Sequence, residues 1–149
     1  MAPTIKLFTI GFTKKNAQTF FSLLQEGGVR KVFDTRLNNV SQLAGFTKRD
    51  DLSFFLREVA GISYEHAKQL APTDFMLKCY KKGEISWDQY ASDYRALIQK
   101  RQLHELFKPE DLHGACLLCS EATPHHCHRR LAAEFFKQQL GCGVDIIHL

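Results

Sequence analysis

The chain reads as strand, helix, strand near each of its ends, and this double βαβ pattern constrains the fold more than any other feature. Lys6 to Phe12 (KLFTIGF) is a β-branched and aromatic run closed by a glycine, which reads as a buried strand. Thr13 follows as a helix cap, and Ala17, Phe20, Phe21 and Leu24 fall at i, i+3, i+4 and i+7, so one helix face is apolar. Gly27-Gly28 supplies a left-handed stop, after which Val29 to Arg36 (VRKVFDTR) reads as a second strand. Toward the other end, Ala115 to Cys119 (ACLLC) is a short apolar strand, and Ser120 to Pro124 is a loop. There Thr123 stands as N-cap and Pro124 at the first helical position. That helix runs to about Leu140, Gly141 and Gly143 end it, and Val144 to His148 (VDIIH) is a last strand. Each unit implies parallel pairing. The expected fold is α/β, a mainly parallel sheet of about four to five strands flanked by helices, forming a single domain over residues 1–149.

The middle of the chain is less regular. Leu37 to Gly45 reads as a loop, and Thr47 with Asp50 as a capping-box-like helix start, with Leu52, Phe55, Leu56 and Val59 along the buried face. Gly61 to Tyr64 reads as a short strand and Thr73 to Tyr80 as a helix. Ser86 with Gln89 forms a capping box for a further helix whose Trp87, Tyr90, Tyr94, Leu97 and Ile98 make an aromatic stripe, read as core packing. A short helix over Leu103 to Phe107 precedes Pro109.

The twelve phenylalanines supply large apolar areas for a core, so the 149 residues need no staples. Five cysteines, an odd and irregularly spaced set without a signal-like start, read as reduced thiols of a cytoplasmic protein. No apolar run approaches the roughly 18 to 20 residues that span a bilayer, so no membrane partner is expected. The net charge of +4 is spread over short groups such as Lys81-Lys82 and Arg129-Arg130. It permits a small anionic ligand or weak nucleic-acid contact and demands neither; nucleic acid, which wants a basic stripe, is not favoured.

Ligands of parallel sheets bind beyond the carboxyl ends of the strands. That edge collects Gly11 and Thr13 from the first strand, Asp34 and Arg36 from the second, and Cys119, Ser120 and Glu121 from the third. The opening turn of the last long helix adds His125, His126, Cys127, His128 and Arg129. Cys127, near a helix start beside imidazoles and Arg129, is one candidate thiolate nucleophile, and Cys119 at the strand exit is the other. Glu121 and Asp34 are the candidates for proton transfer, and Arg36 and Arg129 for holding an anion, with Gly11, Ser120 and His128 completing the ligand site. Against this, Cys127, Leu131 and Phe135 recur every four residues, which fits a core cysteine, and Arg129 also suits a structural ion pair with Glu121 or Asp34. Cys116, Cys79 and Cys142 read as structural. The Cys116/Cys119 spacing matches a zinc pair, but the residues sit in an apolar strand, where i and i+3 point to opposite faces; no metal site is expected. No glycine-rich nucleotide loop is present and no motif names a cofactor or an oligomeric state.

With these residues in view, the chain resembles the family called domain of unknown function 488. The likeness rests on Thr9-Ile10-Gly11, Asp34-Thr35-Arg36, Gly61-Ile62-Ser63-Tyr64, Trp87 and Tyr90. To these it adds Leu117-Leu118-Cys119-Ser120-Glu121 and Cys127-His128-Arg129. The resemblance implies an α/β fold and a polar pocket of the Asp-x-Arg, Cys-x-Glu and Cys-His-Arg groups, without naming an activity. The chain departs from the family's usual pattern at Thr35, where valine is common, at Asn38, where proline is usual, and at Ala71. The leading expectation is an enzyme or ligand-binding protein with a Cys/Glu/Arg pocket for a small anionic or nucleotide-like compound. Its rivals are a nucleic-acid-associated accessory protein and a thiol redox sensor using Cys119 and Cys127.

Overall fold

The computed structural model describes residues 4–40, 45–121, 124–140 and 143–149. Five strands, β1 (Ile5–Gly11), β2 (Lys31–Asp34), β3 (Ser63–His66), β4 (Ala115–Cys119) and β5 (Val144–His148), form one sheet in the order β3-β2-β4-β1-β5. Every pairing is parallel. Seven α-helices accompany it among the described residues: α1 (Ala17–Gly27), α2 (Arg49–Phe55), α3 (Asp74–Lys81), α4 (Trp87–Lys100), α5 (Leu103–Leu106), α6 (Pro109–Leu112) and α7 (His128–Gln139). The α/β class and the parallel sheet are as the sequence indicates.

The pairing inside the βαβ units is not. β1 and β2 do not touch, because β4 lies between them and pairs with both; β4 and β5 are likewise separated by β1. Each unit leaves a gap one strand wide, and the first strand of the other unit fills it. The crossovers pack on opposite faces. Phe20 and Leu24 of α1 and Leu52 and Leu56 of the α2 segment share a cluster with Phe8, Ile10, Val32, Cys116 and Leu118. Residues of α3 to α7, among them Met76, Tyr94, Ile98, Leu131 and Phe136, share the other with Leu7, Phe33, Ala115 and Leu117. Apolar helices on both faces explain why β4 is buried at every position and reads as a continuous apolar run.

Local differences from the sequence reading have physical causes. Asn16, not Thr13, caps α1 by accepting from the Thr19 amide at 2.8 Å, and Gly28 (φ 77°) takes the left-handed position that stops the helix. Thr13 instead donates its hydroxyl to the Ser120 carbonyl, tying the exits of β1 and β4 together. α2 starts after Lys48 without a side-chain cap, so the Thr47/Asp50 box does not form. It continues as a π turn over Leu56–Ala60, whose extra residue per turn swings Val59 off the buried face to 63% exposure. β3 begins two residues later than the GISY segment, and β2 is shorter than expected. The cap at Ser86 accepts from the Gln89 amide at 3.1 Å as the sequence indicates.

The largest revision concerns α7. It begins at His128, because Cys127 takes extended backbone angles (φ −136°, ψ 138°) and helix cannot run through it. Pro124, His125 and His126 therefore lie in a turn before the helix. Thr123, Gly141 and Cys142, like the end of the loop at 41–44, lie outside the described residues.

Tyr94 of α4 is fully buried and donates to the Leu70 carbonyl at 2.6 Å. Removing the hydroxyl strands a buried acceptor, a loss of about 1 to 2 kcal/mol. Tyr94→Phe is expected to lower unfolding free energy by that amount in urea titrations, with an unchanged slope.

Candidate functional site at the exits of β1 and β4

The chain leaves β1 toward one edge of the sheet and leaves β4 toward the other, on opposite faces. The carboxyl ends of these two neighbours therefore form the topological switch point, where open α/β sheets hold ligands. Gly11 of β1 and Cys119 of β4 are register partners there. A cavity of about 330 Å³ opens at this edge. Arg36, Cys119, Ser120, Glu121, Cys127 and His128 line it, so six of the residues singled out from the sequence meet around one space. Gly11, Asp34 and Arg129 do not line it; they stand behind its wall.

Asp34 holds Arg36 in place. Its Oδ1 accepts from Arg36 Nε at 2.8 Å and its Oδ2 from Arg36 Nη2 at 2.8 Å, a two-pronged pair. The Tyr64 hydroxyl (2.6 Å) and the Asn39 amide (3.3 Å) also donate to Oδ2, and the Arg36 backbone amide to Oδ1. Burial opposes charge on Asp34, but the Arg36 guanidinium and the Tyr64 hydroxyl outweigh it and hold the carboxyl below its ordinary value. Arg36 Nη2 also donates to the Thr47 carbonyl at 2.7 Å, and the guanidinium lies 5.3 Å from the Phe12 ring centre. Arg36 is 4% exposed, yet its Nη1 has no hydrogen-bond partner among the described residues.

Arg129 is fully buried and has no carboxylate within ion-pair reach among the described residues; the predicted alternatives, a pair with Glu121 or Asp34, do not form. Its Nη1 donates to Cys119 Sγ at 2.9 Å and to the Glu121 carbonyl at 2.8 Å, while Nε and Nη2 make no hydrogen bond among the described residues. Burial pulls its pKa down to about 10, which leaves it charged at neutral pH. The same cation helps, after burial, to lower the pKa of Lys15. Space for the guanidinium exists because Gly11 has no side chain: a Cβ there would collide with the Glu121 carbonyl oxygen and lie 2.9 Å from Arg129 Nη1.

Cys119 and Cys127 correct the expectation of separate thiols. Their sulfurs are in contact, with the Cα atoms 7.5 Å apart. Both are buried, and neither belongs to the two apolar clusters, so Cys127 faces Cys119 and not the core that Leu131 and Phe135 enter. Cys116 sits in the α1-side cluster, on the opposite face from Cys119, as alternation along a strand requires. Among the described residues no group of three or more His, Cys, Asp and Glu side chains could hold a metal ion.

His128 is fixed by β2. The Thr35 hydroxyl and amide both donate to the Leu118 carbonyl, at 2.7 and 2.9 Å, and His128 Nε2 lies 2.9 Å from the Thr35 carbonyl. A carbonyl only accepts, so Nε2 carries the proton and Nδ1 keeps its lone pair. Burial pushes the pKa of His128 down to about 4, so the ring is neutral at pH 7.

His126, which the sequence also puts at this edge, lines the cavity, and the remaining wall comes from residues that the sequence reading placed elsewhere or did not assign. These are Pro72, Leu77, Tyr80 and Lys81, in and before α3, Tyr90 of α4, and Leu37 and Asn38. Tyr80 and Tyr90 lie 5.0 Å apart between ring centres, and Trp87 stacks on both Tyr90 (5.4 Å) and His126 (4.9 Å). Part of the aromatic stripe read as core is thus a wall of the site. The only sequence signal for it was the polar tip of each tyrosine.

A family model described as Domain of unknown function DUF488 matches residues 16–136, most of the chain. The chain belongs to that family. No curated protein and no solved structure matches it. The DUF488 description names no reaction. No helix among the described residues is long and apolar enough to cross a membrane.

Two outcomes test this geometry. Gly11→Ala should cost at least about 2 kcal/mol in urea unfolding, since the added methyl meets a backbone carbonyl that cannot swing away. His128 has a pKa of about 4 in the fold against 6.5 when free. Between those values the unfolded chain binds the extra proton, so stability falls as pH drops from 6.5 toward 4, by roughly 3 kcal/mol in total. His128→Asn should flatten that part of the stability–pH profile, read by thermal unfolding.

Proposed function

We propose that this cavity binds a small anionic ligand of the nucleotide type, with a phosphate or carboxylate group at the Arg36 end and a planar ring against Tyr80 and Tyr90. The observation that carries the reading is Arg36, which lines the cavity with its guanidinium held rigid by Asp34 and the Thr47 carbonyl and with its buried Nη1 left without a partner among the described residues. A buried guanidinium nitrogen left unbonded is costly unless a ligand completes it. Asp34 neutralises Arg36, so the attraction for an anion arises elsewhere. Arg129, without a carboxylate, the start of α7 and Lys81 all add positive potential to the cavity. Two tyrosine rings at 5.0 Å give an apolar face of the size of a base or other flat ring.

Of the two carboxylates considered for proton transfer, Glu121 lines the cavity with an exposed side chain, whereas Asp34 is enclosed by its donors. Glu121 is therefore the group for exchanging a proton with a bound ligand, and Asp34 is a positioning residue for Arg36. Ser120 and the free Nδ1 of His128 provide further polar contacts at the same wall.

Titration calorimetry with inorganic phosphate, a nucleoside monophosphate and a simple dicarboxylate tests the reading. The monophosphate should bind saturably and more tightly than phosphate, and Arg36→Lys should weaken it roughly tenfold or more, since the donor at Nη1 is lost. Lys81→Ala, a surface change, should weaken it less and leave the fold intact by circular dichroism. Absence of saturable binding by all three compounds to the folded protein overturns the proposal.

A further inference from the structure

We propose that Cys119 and Cys127 form a redox-active pair that reduces hydroperoxides, with Cys119 the attacking thiolate held by Arg129 and Cys127 the resolving thiol. A buried guanidinium without a counter-ion is among the most unfavourable arrangements a fold can hold, and it calls for an anion in contact with it. The carboxylates near Arg129 do not touch it: Asp34 is bonded to Arg36, and Glu121 offers Arg129 its backbone carbonyl while its side chain is exposed. The atom that does touch the guanidinium and is able to carry a full negative charge is Cys119 Sγ, at 2.9 Å from Nη1. The other charged groups facing this sulfur do not cancel the effect. Arg36 is neutralised by Asp34 and His128 is uncharged, so the one opposing charge is the Glu121 carboxylate, which is exposed to solvent and screened there, whereas Arg129 is buried against the sulfur. Cys116, the other buried thiol near Arg129, is pushed well above its ordinary pKa by burial and stays protonated.

Two further observations fit a reaction. Cys119 and Cys127 both line the cavity, so a molecule as small as a hydroperoxide reaches the sulfur although each residue is 1% and 3% exposed. Cys127 is the N-cap of α7, a twelve-residue helix, and its sulfur meets that of Cys119. The helix start lowers the cost of negative charge on both sulfurs.

The Cys119 thiolate attacks the terminal oxygen of the hydroperoxide; an S–O bond forms and the O–O bond breaks. The transferred oxygen keeps its hydrogen, so sulfur has lost two electrons as a sulfenic acid; the alkoxide (hydroxide, for hydrogen peroxide) leaves and takes from solvent the proton that the thiol gave up on forming the thiolate. The Cys127 thiol then attacks that sulfur, the S–S bond forms, and the sulfenic oxygen departs as water with the thiol proton. A small dithiol reductant, by two exchange steps, returns both thiols. No anion in the cavity is required, so this reading and the ligand-binding one fail independently.

The test uses the full chain. In reduced wild-type protein treated with one equivalent of hydrogen peroxide, peptide mapping should find Cys119 linked to Cys127, with Cys79 and Cys116 still free. Cys127→Ser should stop at the sulfenic acid, trapped on Cys119 by dimedone, and Cys119→Ser should consume peroxide at least tenfold more slowly. In Cys127→Ser, Cys119 should alkylate with a midpoint well below pH 8.5, the ordinary thiol value, and Arg129→Lys, added to it, should shift that midpoint upward or slow alkylation several-fold. Wild-type protein whose Cys119 and Cys127 stay unlinked after peroxide overturns the proposal without recourse to any variant. So does a Cys119 midpoint at or above 8.5.

Discussion

The site depends on one contact: the Arg129 guanidinium lodged against Gly11, between the exits of β1 and β4, with Cys119 Sγ and the Glu121 carbonyl as its acceptors. A positive charge at that depth fixes what may surround it. The position before it on β1 must lack a side chain, the neighbouring strand must end in an atom able to accept, and the chain after that strand must turn so that a carbonyl faces inward. Gly11 meets the first requirement from five residues before the family-matched segment, and Cys119 and Glu121 meet the others from within it. The charge thus organises the wall of the cavity without lining it.

That contact is possible because the two βαβ units interleave. Had β1 paired with β2, as the sequence of elements implies, Gly11 would sit beside the Asp34 strand, and Arg129 would lack its seat. With β4 inserted between them, Gly11 is the register partner of Cys119, and α7 drops its first turn onto both. The second cation is treated differently. Arg36 is gripped by Asp34, Tyr64 and the Thr47 carbonyl, so its charge is cancelled and its geometry fixed. One guanidinium therefore supplies potential and the other supplies a directed donor, a division that neither residue's identity reveals.

Much of this was legible in the sequence. The alternation and apolar runs of β1, β4 and β5, the helical spacing of Phe20 and Leu24, and the crowding of Cys119, Glu121, Cys127, His128 and Arg129 at one sheet edge all follow from local pattern. What escaped were properties of pairs distant in sequence. Strand order depends on how two crossovers share the faces of one sheet, and no local pattern encodes it. Cys127 lies four residues before Leu131, and that spacing fits a helix facing the core; its extended backbone, set by the meeting with Cys119, removes it from the helix altogether. Thr13 has the composition of a cap but is drawn across to the Ser120 carbonyl, and Asn16 caps in its stead. Tyr80 and Tyr90 satisfy the same periodicity whether they fill a core or line a cavity, because a tyrosine wall is apolar on one side and wet at one tip.

Thr35 belongs to the same design. Its hydroxyl donates to the Leu118 carbonyl, which the neighbouring Thr35 amide also reaches, and it lies 3.0 Å from His128 Nε2. With its hydrogen committed to Leu118, that oxygen is left to accept, so the imidazole proton is shared between the Thr35 carbonyl and hydroxyl. Valine at this position would keep the carbonyl contact and lose the hydroxyl. The ring would then be held by one bond where it now has two acceptors on one side, and its Nδ1 would be less firmly aimed. Because His128 is neutral and opens α7, the orientation of its lone pair is set by β2 and not by the helix that carries it. The end of β2 therefore positions two groups of the cavity at once, Arg36 through Asp34 and His128 through Thr35, and it does so from residues that are themselves fully buried.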